Sequence, residues 1–216
     1  VEELMVDRAF VPDVNEAGMF AEIHEIIPTV PHNISNALAA ATLASTVGVS
    51  REHIREALKT FTPGKHRIQL VAELKGVKWI DDSKATNPHA AAASILSNFS
   101  VIWIAGGLAK GASMQPLIDR TWSRLKAAIL IGEDRHLIAD ALALSAPELP
   151  VYLIDAPSEY VRGGENNALM DAVVSKADEI SDEGDVVLLA PACASMDQFI
   201  SYGDRGDRFQ RSIKKV

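Results

Sequence analysis

Residues 101–105 read VIWIA, and three further apolar runs follow along the chain: AAILI at 127–131, VYLI at 151–154 and VVLLA at 186–190. Helix-like segments separate each run from the next. Near-continuous runs of Val, Ile and Leu are typical of strands that are covered on both faces. The alternation therefore predicts an α/β fold in which helices flank a mostly parallel sheet.

Just upstream, two apolar stretches predict a hairpin at the edge of this sheet. IQLVAEL at 68–74 and VKWI at 77–80 are separated by the turn dipeptide Lys75-Gly76. One strand of this hairpin would join the sheet, and the other would form an antiparallel edge.

The dipeptide Pro63-Gly64 precedes the hairpin and marks the predicted domain boundary. The boundary divides the chain into domains at 1–63 and 64–216. We also expect a hinge there, because Pro and Gly separate two regions with different patterns of apolar residues.

The first domain is predicted to be largely helical. Residues 5–27 alternate weakly between apolar and polar positions and predict two short strands. The Ala-rich run at 32–48 predicts a helix that ends near its final glycine. Ser50 is a suitable N-cap for a second helix at 51–61.

Composition limits the classes of function. Of 216 residues, 48% are hydrophobic and 23% charged, which is ordinary for a soluble globular protein, and no apolar stretch is long enough for a membrane span.

The only cysteine, Cys193, suits a reducing compartment such as the cytoplasm. A formal charge of −8 disfavours nucleic acid as a partner but leaves room for an anionic small molecule. The first residues lack a basic start followed by an apolar run, so no signal peptide is expected. Because the chain begins with Val1 rather than Met, we expect a fragment, a processed product or a trimmed chain.

Polar clusters follow the predicted strands, where ligands bind in sheets of this kind. The first cluster is DDSKATNP at 81–88. Its Lys84 suits a phosphate or a carboxylate, and its Asp82 suits a ribose hydroxyl. Turns and N-caps use the same residue types, so a purely structural role stays open at this point.

Two further clusters follow later strands. GGLAKG at 106–111 combines glycines, which allow close approach of the backbone, with the cation of Lys110. APACASMDQF at 190–199 supplies small residues and the hydroxyl of Ser195. Cys193 lacks an obvious base, which favours a packed residue over a nucleophile.

Three other groups are ambiguous when each is taken alone. DRGDRF at 204–209 has alternating charges, and we interpret it as a solvated helix face or as local ion pairs. Asn33 and Asn36 share a helix face, where their amides suit the edge of a nucleotide base or a simple cap. Arg67 is either a phosphate clamp or a surface residue.

The order of these motifs resembles that of the Mur ligases. The motifs are HNISNALAA, GKHR, DDSKATNP, GG followed by a lysine, PACASMDQF and DRGDRF. HNxxNxxAA is shared across that family, whereas DSKATN and PACASxDQF are specific to its D-glutamate-adding member. A member that adds a diamino acid would show Asn-Pro-Arg, and here His89 follows Asn87-Pro88.

The resemblance implies a fold and a place in a larger enzyme. Residues 1–63 would be the carboxy-terminal tail of a central ATP-binding domain, and 64–216 a Rossmann-like domain that binds D-glutamate. The phosphate loop, the Mg²⁺-binding residues and the carbamylated lysine of the family would lie outside this chain, so no metal ligand is predicted within it. The chain alone is therefore expected to be inactive, and the whole enzyme is expected to be a cytoplasmic monomer.

The family reaction, by the same resemblance, is an ATP-dependent ligation in peptidoglycan precursor synthesis. ATP phosphorylates the carboxylate of UDP-N-acetylmuramoyl-L-alanine, and the amine of D-glutamate attacks the acyl phosphate. The residues implied at ATP are Asn33, Asn36, Arg67 and Asp82. Those implied at D-glutamate are Lys84, Thr86, Lys110, Ser195, Met196 and Tyr202, with Lys84 and Lys110 also acting in catalysis.

Two other functions remain possible at this level. A folylpolyglutamate-type ligase shares the architecture and the acyl-phosphate logic, although DSKATN and PACASMDQF disfavour it. A non-catalytic module that binds a nucleotide or an amino acid is the second alternative, because the chain lacks half of the expected active site.

Overall fold

The computed structural model describes residues 3–13 and 15–216. The chain divides into two compact units, the first ending at Gly64 and the second running from Lys65 to Val216. This division falls at the Pro63-Gly64 dipeptide. The identity of the two units as parts of particular enzyme domains stays a prediction.

The first unit combines a small hairpin with two helices. Strands β1 (Leu4–Asp7) and β2 (Gly18–Glu22) pair antiparallel, and a short 3-10 turn follows them. Helix α1 (Pro31–Thr46) begins at a proline, which is well suited to a first helical position. Helix α2 (Arg51–Thr60) is capped by Ser50, whose hydroxyl accepts from the His53 amide. The predicted strands, helices and cap are confirmed.

The second unit is built on a six-stranded sheet. Its strands are β3 (Gln69–Leu74), β4 (Val77–Asp81), β5 (Val101–Gly106), β6 (Leu125–Ile131), β7 (Val151–Leu153) and β8 (Val186–Leu189). Their order is β3-β4-β8-β5-β6-β7, and all neighbours are parallel except the β3–β4 pair. The predicted mostly parallel sheet with an antiparallel edge hairpin is confirmed.

Helices cover both faces of this sheet. They are α3 (Pro88–Leu96), α4 (Gln115–Thr121), α5 (Arg135–Ser145), α6 (Ala168–Ile180) and α7 (Tyr202–Ile213). Alternate side chains of each strand point to opposite faces. Trp103 therefore packs with α3, α4 and α5, whereas Ile102 and Ile104 pack with α6 and α7. Both core clusters are buried, which explains the continuous apolar runs. Among the described residues, no helix is long and apolar enough to cross a membrane.

Candidate functional site

The loops after β5 and β8 are joined by backbone hydrogen bonds. Leu108 and Ala194 each donate an amide to the other's carbonyl, both at 2.9 Å, and Gly106 donates to the Pro191 carbonyl at 2.9 Å. Ser195 directly follows Ala194, and Lys110 lies two residues after Leu108. The pairing of these loops therefore holds the backbone of both candidate residues at one edge of the sheet.

The loop after β4 joins the same edge. The Ala192 amide donates to the Ala85 carbonyl at 2.9 Å, and the Asp82 amide donates to the Leu189 carbonyl at 2.8 Å. The Ser83 hydroxyl donates to the Tyr202 carbonyl at 2.7 Å, which connects the start of α7. The backbones of the three sequence clusters are thus joined at the carboxyl ends of β4, β5 and β8, and this edge is called the candidate surface below.

Two lysines on this surface have no carboxylate partner among the described residues. The Lys84 ammonium lies 4.0 Å from the centre of the Tyr202 ring in a cation–π contact. Lys110 is exposed, and no side-chain hydrogen bond or ion pair within residues 3–13 and 15–216 engages it. In a chain with a formal charge of −8, unpaired cations at a strand-end surface can bind an anion.

The backbone of this surface is strained. Lys110 has φ 51° and Ala192 has φ 59°, although both residues carry a Cβ. Such conformations cost of the order of 1–3 kcal/mol each and are concentrated at functional sites. Since the adjoining loops are fixed by hydrogen bonds, the fold can maintain these conformations.

The other residues implied at D-glutamate differ in exposure. Met196 and Tyr202 are exposed, Thr86 is half-buried, and Ser195 is buried with only 4% of its surface accessible. One residue of the first cluster, Asn87, has the purely structural role considered above: its side chain accepts from the Ala90 amide and caps α3. The cluster therefore combines a cap with side chains that are free to bind.

Asp82 lies at the same edge but is almost fully buried. Its carboxylate accepts from the Ile68 amide at 3.3 Å. Burial raises the pKa of Asp82 to about 6, from an ordinary value of 3.8, because the charged form loses its hydration. Arg67, its predicted partner at the nucleotide, is exposed.

Asp82→Asn is expected to stabilise the second unit more at pH 8 than at pH 5. The pKa of Asp82 is 3.8 in the unfolded chain and about 6 in the folded one. The ionised carboxylate therefore destabilises the fold once pH rises above 3.8, and this destabilisation reaches its full size above pH 6. The gain should be about 3 kcal/mol at pH 8 and about half of that at pH 5. Urea unfolding followed by tryptophan fluorescence measures it, since all three tryptophans lie in this unit.

Asp140→Asn is the matched control, because it removes the same charge from an exposed helix position. An equal effect of Asp82→Asn at both pH values would contradict a buried, partly protonated carboxyl.

His66 connects the first residues of the second unit to the candidate surface. Its carbonyl accepts from the Lys84 amide at 3.1 Å. Its ring is buried and lies 2.7 Å from Asp81 through Nδ1. Gly206 leaves room for this ring, since a Cβ there would lie 2.2 Å from Nδ1. The position of His66 therefore helps to fix the backbone of Lys84.

Within DRGDRF, the predicted local ion pair is confirmed between Arg208 and Asp204, whereas the solvated face is wrong for both arginines. Arg205 is fully buried and Arg208 is 4% exposed. Arg208 pairs with Asp204 and donates to the carbonyls of Gly164 and Asn166, so it bonds to loop backbone. Arg205 and Arg208 lie at helical spacing from the buried Phe209, a pattern that indicates a buried helix face. The alternating charges of the segment obscured this pattern.

Cys193 is a packed residue. It is fully buried, and burial raises the pKa of its thiol to about 12. A thiol in this environment stays protonated at neutral pH, so it is not a reactive nucleophile.

In the first unit, Asn33 and Asn36 lie beside an apolar groove. The groove has a volume of about 400 Å³ and is otherwise lined mainly by apolar residues of α1 and α2. The Asn33 side chain donates to the Pro28 carbonyl at 2.9 Å, which leaves its oxygen available. Neither asparagine is the N-cap of α1, since that position is Val30. Small-molecule sites commonly have volumes of this order and a mostly apolar lining.

The amino-acid sequence was compared with models of known protein families. Residues 66–193 match the family described as Mur ligase, glutamate ligase domain. The chain belongs to the Mur ligase family.

Curated relatives match this Mur ligase chain over its whole length. It is 49% identical over 217 residues to the UDP-N-acetylmuramoylalanine--D-glutamate ligase of Streptomyces coelicolor, covering 100% of this chain and 44% of that protein. The Thermobifida fusca protein of the same name is 46% identical over 217 residues, covering 100% of this chain and 45% of the relative. The chain thus spans less than half the length of these relatives.

Solved structures of low sequence identity share the fold. The UDP-N-acetylmuramate-alanine ligase of Thermotoga maritima gives a TM-score of 0.55 at 16% identity, covering 87% of this chain and 39% of its own. The bifunctional folylpolyglutamate synthase/dihydrofolate synthase of Yersinia pestis gives 0.53 at 18%, covering 88% and 40%. These likenesses concern architecture alone.

Proposed function

We propose that this chain is part of an ATP-dependent ligase that adds D-glutamate to UDP-N-acetylmuramoyl-L-alanine in peptidoglycan precursor synthesis. The observation that carries the proposal is the joining of the loops after β4, β5 and β8, which bear Lys84, Lys110 and Ser195. The names of the curated relatives support the same reaction.

The chemistry of D-glutamate suits this surface. The amino acid carries two carboxylates, and each needs a cation or hydrogen-bond donors once water is excluded. Lys84 and Lys110 supply two ammonium groups from separate loops. Thr86 and Ser195 add hydroxyl donors, while Met196 and Tyr202 would contact the carbon chain. In the proposal, both lysines also orient the amino acid so that its amine reaches the acyl phosphate.

The residues proposed to contact ATP are Asn33, Asn36, Arg67 and Asp82. The groove beside the two asparagines has a size and an apolar lining that are common in small-molecule sites, and amide groups can hydrogen-bond the edge of a base. Exposed Arg67 suits phosphate oxygens, and a carboxylate such as Asp82 accepts hydrogen bonds from ribose hydroxyls. ATP supplies the phosphoryl group that activates the acceptor carboxylate.

Mg²⁺ is proposed to bind through residues outside this chain. No group of three or more His, Cys, Asp or Glu residues in the described ranges could hold a metal ion. We further propose that the whole enzyme acts as a monomer in the cytoplasm.

An activity assay tests the proposed function. A full-length ligase that contains this chain should release phosphate from ATP only when UDP-N-acetylmuramoyl-L-alanine and D-glutamate are both present. L-Glutamate and diaminopimelate should not replace D-glutamate. Activity with L-glutamate on a folate acceptor would favour the folylpolyglutamate-type alternative. Amino-acid or nucleotide binding without turnover would favour the non-catalytic module.

A further inference from the structure

The side chain of Arg205 lies fully buried beneath the candidate surface. Its Nε donates to the Ser83 hydroxyl at 3.0 Å, and Nη2 donates to the Ser83 carbonyl at 3.0 Å. Both terminal nitrogens donate to the Cys193 carbonyl at 3.3 Å, and Nη1 reaches the Gly106 carbonyl at 3.5 Å. One guanidinium therefore contacts the backbone at the carboxyl ends of β4, β5 and β8.

This arginine has no carboxylate partner among the described residues. Burying a cation costs several kcal/mol unless surrounding groups compensate for its lost hydration. Here the compensation comes from backbone carbonyls and one hydroxyl. Burial lowers the pKa of Arg205 to about 10, so the group stays charged at neutral pH. The carbonyl oxygens would in turn repel one another without a cation between them.

Each contact lies close to a residue of the proposed D-glutamate subsite. Ser83 directly precedes Lys84, Cys193 lies two residues before Ser195, and Gly106 lies four residues before Lys110. The Ser83 hydroxyl also links Arg205 to the start of α7, because it accepts from Arg205 and donates to the Tyr202 carbonyl.

We propose that Arg205 is the positioning residue of the D-glutamate subsite, a role that rests on the proposed function. It touches no substrate, because its side chain is fully buried. It acts by fixing the carbonyl groups at three strand ends, so that Lys84, Lys110 and Ser195 keep the spacing that two carboxylates require. Small displacements matter in such a site, since a shift of about 1 Å can cost about 100-fold in rate.

Variants of the full-length ligase test this role. Arg205→Lys keeps the positive charge but has one nitrogen in place of three, so it cannot bond to all three segments. Arg205→Met removes the positive charge and keeps a side chain of similar length. Both should raise the KM for D-glutamate, Arg205→Met by about tenfold or more and Arg205→Lys by less, while the KM for ATP changes less than about twofold. Hydrogen exchange at the amides of Leu108, Ala192 and Ala194 should accelerate in parallel.

Arg208→Met is the matched control. Arg208 is a buried arginine on the same helix, but it bonds to the carbonyls of Gly164 and Asn166. This variant should lose stability without a change in the KM for D-glutamate. A purely structural role for Arg205 would instead make its variants resemble this control.

The outcomes separate the inference from the proposed function. If the unaltered enzyme does not use D-glutamate, the proposed function fails. If it does, and folded Arg205→Lys has an unchanged KM for D-glutamate and unchanged exchange in the loops, the positioning role is overturned. Should Arg205→Met fail to fold, Arg205→Lys alone decides the question.

Discussion

Replacing Lys110 with alanine is expected to lower kcat/KM for D-glutamate about 100-fold in a full-length ligase that contains this chain. Hydrogen bonds to charged groups contribute up to about 3 kcal/mol, and each 1.4 kcal/mol corresponds to about tenfold. Lys110 is exposed and unpaired within the described residues, so its loss should leave no buried group unsatisfied. The KM for ATP should change less than about twofold. Steady-state kinetics with each substrate varied in turn measures both effects.

Lys214→Ala provides the control for net charge. Lys214 is exposed at the opposite end of α7 from Tyr202, and its removal changes the formal charge by the same amount. This variant should keep normal kinetics for D-glutamate. Equal kinetic losses in the two variants would indicate a general electrostatic effect, and unchanged D-glutamate kinetics in Lys110→Ala would remove Lys110 from the proposed subsite.

Gly107→Ala should destabilise the second unit by about 4 kcal/mol, near the upper end of single-residue effects. Gly107 has φ +125°, and a Cβ there would lie 2.1 Å from the Ala194 carbonyl oxygen. Because that oxygen belongs to the backbone, the loops after β5 and β8 must separate. Urea unfolding followed by tryptophan fluorescence gives the free energy of unfolding.

Gly184→Ala separates the backbone effect from the steric clash. Gly184 has φ +93°, and nothing lies within 4 Å of a Cβ built there. It should therefore cost only about 1–2 kcal/mol, the penalty of a left-handed conformation. If Gly107→Ala costs no more than this control, the close contact between the loops is not maintained in solution.

The strands and caps could be predicted because local chemistry decides them. Strands buried on both faces require continuous apolar runs, as at 101–105 and 186–190. The Lys75-Gly76 dipeptide forms the turn of the hairpin, and both residues have positive φ. The Ser50 cap follows from the hydrogen-bonding needs of a helix start.

The order of the strands and the role of Arg205 could not be predicted in this way. β8 is the last strand in sequence but lies between β4 and β5, because strand pairing depends on contacts between distant segments. Arg205 lies among charged neighbours, so its local pattern favours solvent. Its spacing with Phe209 is compatible with burial, but the carbonyl oxygens that compensate for burying the cation come from three distant segments.

The hydrogen bond from the Lys84 amide to the His66 carbonyl has a mechanical consequence. His66 is the second residue of its unit, and its buried ring also lies 2.7 Å from the Asp81 carboxylate through Nδ1. The first residues of the unit therefore share one anchor point with the backbone that carries the Lys84 ammonium group. A substitution that displaces the His66 ring would therefore alter the affinity for an anion at Lys84 without any contact between the imidazole and the anion.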